Sequence, residues 1–523
     1  MKQVRFILFV VLSTLLTAEI NAQEIMVIEK PDKTTIKIDI KNISRVYFEY
    51  MDSKSAADTI KFIYEQMHTA GYSTTGNTHQ CFGIPAYTLC ADVMGEDHIM
   101  VSSGSGWFWY DARYDVKSRY ASTAWRSYDL WTAYYTWINT CNRIIAQKEK
   151  IGGEESDVNH VIGQAYAIRA YSYFMLSQFF ARTLVGHENE PCVPIYTDPI
   201  TSETPGKPRS TNAEVYAQID EDIETACNLL VGFDRSYDKE LINNAVLQAI
   251  KARVCMVENK WEDAKNAAHS AIAESGCSIQ PVYSFLGMNS LYSNNVIWGA
   301  YITSDNSGMY ANLFSHMDYE ANHYAGRAPK CINKELYAKM NPTDTRREWW
   351  VSGKINSGLV QEKFKFSDVS SWRGDYIYIR VEEMYLTAAE AECRLGEEAA
   401  AKSDLMALMS QRDPSYSTSK TGTALGKTTE LANETGSLLE EILIQRRIEL
   451  WGEFGRMFDL KRLKQGFVRT TSMGWPDEAL IPNVATQDPE SYCNVMTIPQ
   501  SEFDKNESLD FEKDQNPLGD YPD

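Results

Sequence analysis

Residues 243–275, NNAVLQAIKARVCMVENKWEDAKNAAHSAIAES, and residues 381–411, VEEMYLTAAEAECRLGEEAAAKSDLMALMSQ, superpose on each other. In the first stretch Ala249 and Ala252 lie on one helix and Ala264, Ala268 and Ile272 on the next; in the second, Ala388 and Ala391 are followed by Ala400 and Leu408. Ala252 to Ala264 and Ala388 to Ala400 are equal intervals. Small residues at that offset let two antiparallel helices approach closely, with turns near Trp261 and Gly396. Helical periodicity elsewhere predicts helices over 56–70, 125–148, 161–182, 213–231, 243–258, 261–275, 381–395, 399–410 and 438–463.

The paired helices have the pattern of tetratricopeptide repeats, which are about 34 residues long, although a plain helical hairpin fits the same spacing. Residues 161–182 and 213–231 make another pair, separated by a proline-rich loop over 183–211. Between Cys277 and Trp372 short apolar and aromatic pieces alternate with Ser, Asn and Gly, which predicts an irregular insert of loops and short strands lying over the helical frame. Residues 416–436 read as an exposed loop, and the chain after Gly466 as mostly irregular. Residues 24–50 alternate (Ile25, Val27; Ile36, Ile38, Ile40; Val46, Phe48) and predict two or three short strands. The expected fold is mostly α: tetratricopeptide-like helix pairs framing a loop-rich insert at about 277–372, with a short N-terminal β element.

The chain has 523 residues, with 51 Lys+Arg against 71 Asp+Glu and a formal charge of −20. Such a surface repels phosphate backbones, so nucleic acid is excluded as a partner. Lys2 and Arg5 precede the apolar run Phe6 to Leu16, and Ala18 to Ala22 offers a small-residue cleavage site, the layout of a secretory signal. The segments expected are thus a signal peptide over 1–22, a β-patterned element over 23–50 and a body over 51–523, exported from the cytoplasm. The ten cysteines show no metal-type spacing and argue against a zinc site; Cys81 and Cys90 are the one candidate disulfide.

Catalytic signatures are missing: there is no GxSxG, HExxH, GxxxxGK[ST] or strand-borne GxGxxG, so neither a catalytic residue nor a cofactor or metal is assigned. Glu96 with Asp111, or Asp344 with Glu348, could be drawn as acid pairs for glycoside hydrolysis, but a chain this acidic offers such pairs by accident. His98 beside Asp97 reads as a loop histidine in solvent. Arg446 and Glu449, Glu453 and Arg456, and Asp459 and Arg462 are each spaced as neighbours on a helix surface, which reads as a solvated, salt-bridged face.

Binding is better supported. Sugars present apolar C–H faces and hydroxyl edges, so a sugar site needs open aromatic rings with polar groups beside them. The run Gly104–Tyr114 places Trp107, Trp109, Tyr110 and Arg113 in a Gly/Ser context. A looser set in the insert holds Tyr292, Asn294, Asn295, Trp298, Tyr301, Tyr310, Tyr319, His323 and Tyr324. The candidate ligand residues are Trp107, Trp109, Tyr110, Arg113, Tyr292, Trp298, Tyr310 and Tyr324, with core packing the competing reading for any single ring. Two or three stacked rings contribute about 1–4.5 kcal/mol beyond burial, and a few hydrogen bonds of about 1 kcal/mol each bring the expected capture into the micromolar to millimolar range.

Four blocks, in order, resemble one family. PAYTLCADVMGED (Pro85–Asp97) with WTAYYTWINTCNRII (Trp131–Ile145), GQAYAIRAYSYF (Gly163–Phe174), RRIELWGEFGRMFDLKR (Arg446–Arg462) and IPQSEF (Ile498–Phe503) with Asn506 and Gln515-Asn516-Pro517 are similar to the SusD/RagB nutrient-binding proteins of Bacteroidetes outer membranes. That resemblance implies non-catalytic capture of an oligosaccharide by loop-borne aromatics at the cell exterior and delivery to a SusC-like TonB-dependent transporter. Peptide capture, which some members perform, is the alternative within the family, and a glycan-active hydrolase the alternative outside it. The family's members are lipoproteins, whereas this sequence has no cysteine before Cys81 to carry a lipid.

Overall fold

A computed structural model describes residues 25–29, 35–39, 51–69, 78–101, 107–114, 123–353, 358–429, 435–480 and 483–517. The expected signal peptide and the Val46/Phe48 pattern lie outside them. Ile25–Glu29 and Thr35–Asp39 form an antiparallel pair with Ile25 opposite Asp39. This hairpin belongs to a unit separate from the body that starts at Asp52.

The body is mostly α-helical, as expected. Helices Trp261–Ser275 and Val381–Leu395 have the bounds read from the sequence. Local chemistry sets many ends. Asn243 accepts a hydrogen bond from the Val246 amide, and Thr211 and Glu214 form a reciprocal capping box. The first helix of each repeat pair closes on a left-handed residue, Asn259 or Gly396.

Helix Asn244–Glu258 packs on Trp261–Ser275, that helix on Val381–Leu395, and the latter on Glu398–Met409, so the two pairs stack directly although the insert separates them in sequence. Ala391 belongs to the contact between pairs, clustered with Cys255, Met256 and Ala264. Inside the second pair Ala389 and Leu386 pack with Ala401, Leu405 and Leu408. The small residue that lets those helices close is therefore Ala401, not Ala400, which is only half-buried.

The expected helix over 438–463 is broken into Leu438–Glu449 and Arg456–Leu463. The break passes through Gly452 (φ 79°) and Gly455 (φ 111°), backbone that a residue with a Cβ rarely adopts. Its charges are buried rather than solvated. Glu449 accepts from Arg412 Nε (3.0 Å) and Nη2 (2.9 Å), Arg380 Nη1 (3.2 Å) and Arg346 Nη1 (3.4 Å), all with fully buried side chains. Glu453 accepts from Arg380 Nε at 2.7 Å, while Lys363 donates to the Glu449 and Trp451 carbonyls at the helix end. Asp92 accepts from the Gly452 and Arg456 amides at 3.0 and 3.1 Å and so caps the second half-helix from another element. Glu96 and Asp97 meet Arg456 and Arg447.

His98, expected in solvent, is fully buried in strand His98–Met100, its Nδ1 2.5 Å from Asp92 and its ring stacked on Trp451. The suggested Cys81–Cys90 bridge does not form. Both are buried thiols, with Cys81 hydrogen-bonded to Asp129 and Cys90 Sγ donating to Asp111 at 3.5 Å.

Two small sheets tie the insert to the frame. Strand His98–Met100 pairs with Lys330–Ile332, then with Val360–Gln361 and Trp350–Val351; strand Val296–Ala300 pairs with Tyr376–Arg380.

Removing one partner of a buried ionic set leaves the others uncompensated, at a cost of about 3–5 kcal/mol. Glu449→Ala is expected to lose that much, read from guanidinium unfolding; a loss under about 1 kcal/mol, the size of a surface pair, would contradict the assignment. Burial alone would raise Glu96, but Arg456 and Arg447 hold it down to about 2, below its ordinary 4.5. A carboxyl depressed on folding stabilises fully above its unfolded value and loses this as pH falls through the folded one. The stability gap between wild type and Glu96→Gln should stay flat from about pH 5 to 8 and narrow between about 4.5 and 2, as followed by urea midpoints.

Candidate functional site

The sheets decide which rings meet. Strand His98–Met100 leads toward the aromatic run and Lys330–Ile332 follows Tyr324, so their pairing brings Trp107 and Tyr324 together, with centroids 5.2 Å apart. Pairing of Val296–Ala300 with Tyr376–Arg380 likewise brings the loop after residue 300 beside the one before 376. Tyr310 lies 4.6 Å from Trp372 and 5.3 Å from Tyr324. His79 joins the group beside Trp107 at 5.5 Å and hydrogen-bonds Tyr324 through Nδ1. His323 stacks on Trp372 at 4.1 Å. Trp107, Tyr310 and Tyr324, read from two distant stretches, thus belong to one cluster that His79, His323 and Trp372 complete.

Buried hydrogen bonds and ring contacts tie together the chain beside this cluster. Arg126, fully buried, holds Asp111 through Nη2 (2.8 Å) and Nε (3.2 Å), donates to the Gln80 carbonyl at 2.7 Å and lies over the Phe108 ring. Gln80 in turn accepts from the Phe108 amide at 2.7 Å. His316 Nε2 donates to the His79 carbonyl at 2.7 Å, and its ring stacks on both Phe82 and Tyr324. Burial pushes His316 far below the ordinary imidazole range and lowers His323 as well. Both are neutral rings near pH 7 and contribute flat surface rather than charge.

Phe108, Tyr310 and Trp372 have left-handed backbones, with φ of 62°, 60° and 59°. For residues of this size that conformation is unfavourable, of order 1–3 kcal/mol each, and it concentrates where surroundings over-determine the backbone. Tyr310 is 38% exposed, and Trp107, Tyr324 and Trp372 are half-buried, so the group forms a shelf at the surface. The Trp107 Nε1 donor has no hydrogen-bond partner among the described residues. Two cavities, one beside Arg253 and Glu453 and one beside Asp97 and Arg447, are lined by other residues.

The remaining candidates are placed elsewhere. Tyr110 is 46% exposed and Arg113 half-buried on the short helix Trp109–Arg113, while Trp109 on the same helix is buried. Tyr292, 59% exposed, meets Tyr301 edge-on at 5.8 Å and makes a second, smaller aromatic pair. Trp298 is core. It is fully buried on strand Val296–Ala300, its Nε1 donates to the Glu240 carbonyl at 2.9 Å, and Tyr171 and Tyr378 pack edge-on against it. Sequence reading missed His79 and Trp372. Trp372 shares the Ser/Gly context of the run near Trp107, which could have marked it, whereas nothing around His79 distinguishes it.

Three of the four acids drawn as pairs from the sequence are engaged by arginines. Asp111 is held by Arg126, Glu96 by Arg456 and Arg447, and Asp344 by Arg346 at 2.7 Å.

Two family models match the chain: SusD-like_3, described as starch-binding associating with outer membrane, over residues 50–255, and SusD_RagB, described as the SusD family, over residues 293–518. The chain belongs to the SusD/RagB family. SusD-like protein P2 of Formosa agariphila is 23% identical over 431 residues, 72% of this chain and 78% of that protein. Among solved structures, a SusD-like carbohydrate binding protein from Bacteroides vulgatus superposes with a TM-score of 0.74 at 24% identity, over 91% of this chain and all of that one. Surface glycan-binding protein A from Bacteroides fluxus gives 0.65 at 17% identity, over 89% of this chain and 99% of that one. The SusD_RagB match covers Trp298 as well as Tyr310, Tyr324 and Trp372, so family membership alone does not sort Trp298 from Tyr310. Among the described residues no helix is long and apolar enough to cross a membrane.

Truncating a buried tryptophan costs about 3–5 kcal/mol. Trp298→Ala is expected to lose stability on that scale, whereas Tyr110→Ala should stay within about 0.5 kcal/mol of wild type; denaturation midpoints of the two variants check the division between core and surface rings.

Proposed function

We propose that this SusD-family protein captures an oligosaccharide at the cell exterior on the shelf of Trp107, Tyr310, Tyr324 and Trp372, without cleaving it, and passes it to a TonB-dependent outer-membrane transporter. The observation that carries the reading is the convergence of aromatic rings from separate loops on one surface, with two of them on strained backbone. Flat rings stack on the apolar faces of pyranoses, and polar groups around the rim take hydroxyls. The family description of starch binding with outer-membrane association, and the carbohydrate-binding names of its relatives, point the same way. Arginine holds several of the buried acids considered for hydrolysis, which favours capture over cleavage. A shallow site gives weak intrinsic affinity, which a polymeric ligand or an adjacent transporter offsets by raising local concentration.

The test is an array of oligosaccharides and peptides probed with the mature chain, followed by calorimetry on the best ligand. Trp107→Ala and Tyr310→Ala should each weaken binding several-fold, and the double variant by at least tenfold, about 1.4 kcal/mol, with denaturation midpoints preserved. Unchanged affinity in the double variant would remove the shelf from the function. Peptide-only signals would move the ligand class, and shortened ligand after incubation would establish an enzyme.

A further inference from the structure

We propose that His269, Glu392 and Asp404 hold a Zn2+ ion between three neighbouring helices of the repeat frame. His269 is on helix Trp261–Ser275, Glu392 on Val381–Leu395 and Asp404 on Glu398–Met409, the three that stack in succession. His269 Nε2 is 2.8 Å from Asp404 Oδ2 and 3.7 Å from Glu392 Oε1, and one donor atom from each residue lies within 4.8 Å of the others. Zinc bonds of about 2.0 Å to nitrogen and oxygen in tetrahedral geometry place neighbouring donors about 3.3 Å apart, a value these two distances bracket.

The independent sign of a cation site is on Glu392. Its residue is 3% exposed, and its Oε2 is buried with no hydrogen-bond partner, while the same carboxylate faces His269. A buried carboxylate oxygen without a partner is costly. His269 cannot remove that cost alone, because its Nε2 already lies in hydrogen-bond contact with Asp404. The other cation nearby, Lys265, lies one turn earlier on the His269 helix and is engaged by Glu262 and Glu397 at 3.0 Å each. A divalent ion would satisfy both carboxylates at once.

Mixed imidazole and carboxylate donors suit zinc, whereas Ca2+ takes six to eight oxygens. The His269 side chain is 44% exposed, so water can reach the site as a fourth ligand. Cysteine spacing carries no trace of such a site, because its donors are a histidine and two acids from three helices, with His269 and Asp404 135 residues apart in sequence. The ion would cross-link the frame and, by binding only the folded chain, stabilise it by mass action.

The full mature chain, made without a histidine tag and stripped of metal, is dialysed against micromolar ZnCl2 or CaCl2, and bound metal and thermal midpoint are measured. The expected result is one equivalent of zinc and a midpoint raised by several degrees, with no response to calcium. His269→Ala, at a half-exposed position, should lose both the equivalent and the shift, and so should the near-isosteric Glu392→Gln. Absence of stoichiometric zinc uptake by the wild type, or uptake undiminished in His269→Ala, would overturn the proposal. Should Glu392→Gln fold poorly, His269→Ala decides alone.

Discussion

Everything else in this fold hangs on a carboxylate in the protein interior having more than one guanidinium to face. Glu449, surrounded by Arg412, Arg380 and Arg346, is held well below the usual carboxylate range although its burial alone would raise it. Desolvating four charges costs several kcal/mol per ion, and mutual attraction repays this only when geometry and hydrogen bonding are nearly complete. The main consequence is therefore placement rather than net stability. Any packing that separated these groups would strand an unpaired charge in the interior, so few alternative arrangements of insert and frame are tolerable. Arg346 and Lys363 come from the insert, Arg380 and Arg412 from the frame, and Glu449 from the late helix. One cluster thus fixes three parts of the chain against each other.

A second set does the same for the early part of the body. Asp92, Glu96 and Asp97 end the block PAYTLCADVMGED, and their partners are the Gly452 and Arg456 amides and the Arg447 and Arg456 side chains. Two blocks that look independent in sequence are the two halves of one contact. Arg469 extends it, donating to the Val93, Met94 and Gly95 carbonyls at the end of helix Ile84–Val93. Strand His98–Met100 follows directly, and its pairing with Lys330–Ile332 carries the constraint to the loops that bear Trp107 and Tyr324. The site at the surface is therefore positioned by electrostatics in the core, through a short sheet.

How legible these layers are in the sequence follows the range of the interactions. The bounds of Trp261–Ser275 and Val381–Leu395 come from local signals, namely small residues at helical spacing and a left-handed Gly396, and the sequence shows them directly. The late helix misleads because charges three residues apart look alike whether they face water or arginines far away in the chain. Glu449 and Arg380 are 69 residues apart, and Arg447 and Asp97 are 350. The same limit explains Trp298 against Tyr310. Both stand in Ser/Asn-rich surroundings, but Trp298 lies in a paired strand that is buried throughout and packs against Tyr171 and Tyr378, contacts with no local signature. The family resemblance reached the right fold because it encodes such long-range partners collectively, and it left individual rings unsorted because loops carry them.

The shelf also spends part of its own surface. The face of Trp372 that meets His323 is unavailable to a ligand, and Tyr324 is covered on one side by His316. Tyr310, 38% exposed, is the most open ring of the four, although His79 stacks beside it at 6.2 Å. Rings stacked on other rings lose their rotamer freedom when the chain folds, so a ligand does not have to order them on arrival. The strained backbones at Tyr310 and Trp372 follow the same logic, since a residue held in the left-handed region by its neighbours has little freedom left to surrender. A shallow surface gains little from enclosing its ligand, and prior ordering of its rings is the principal means by which it reaches useful affinity while still releasing what it holds.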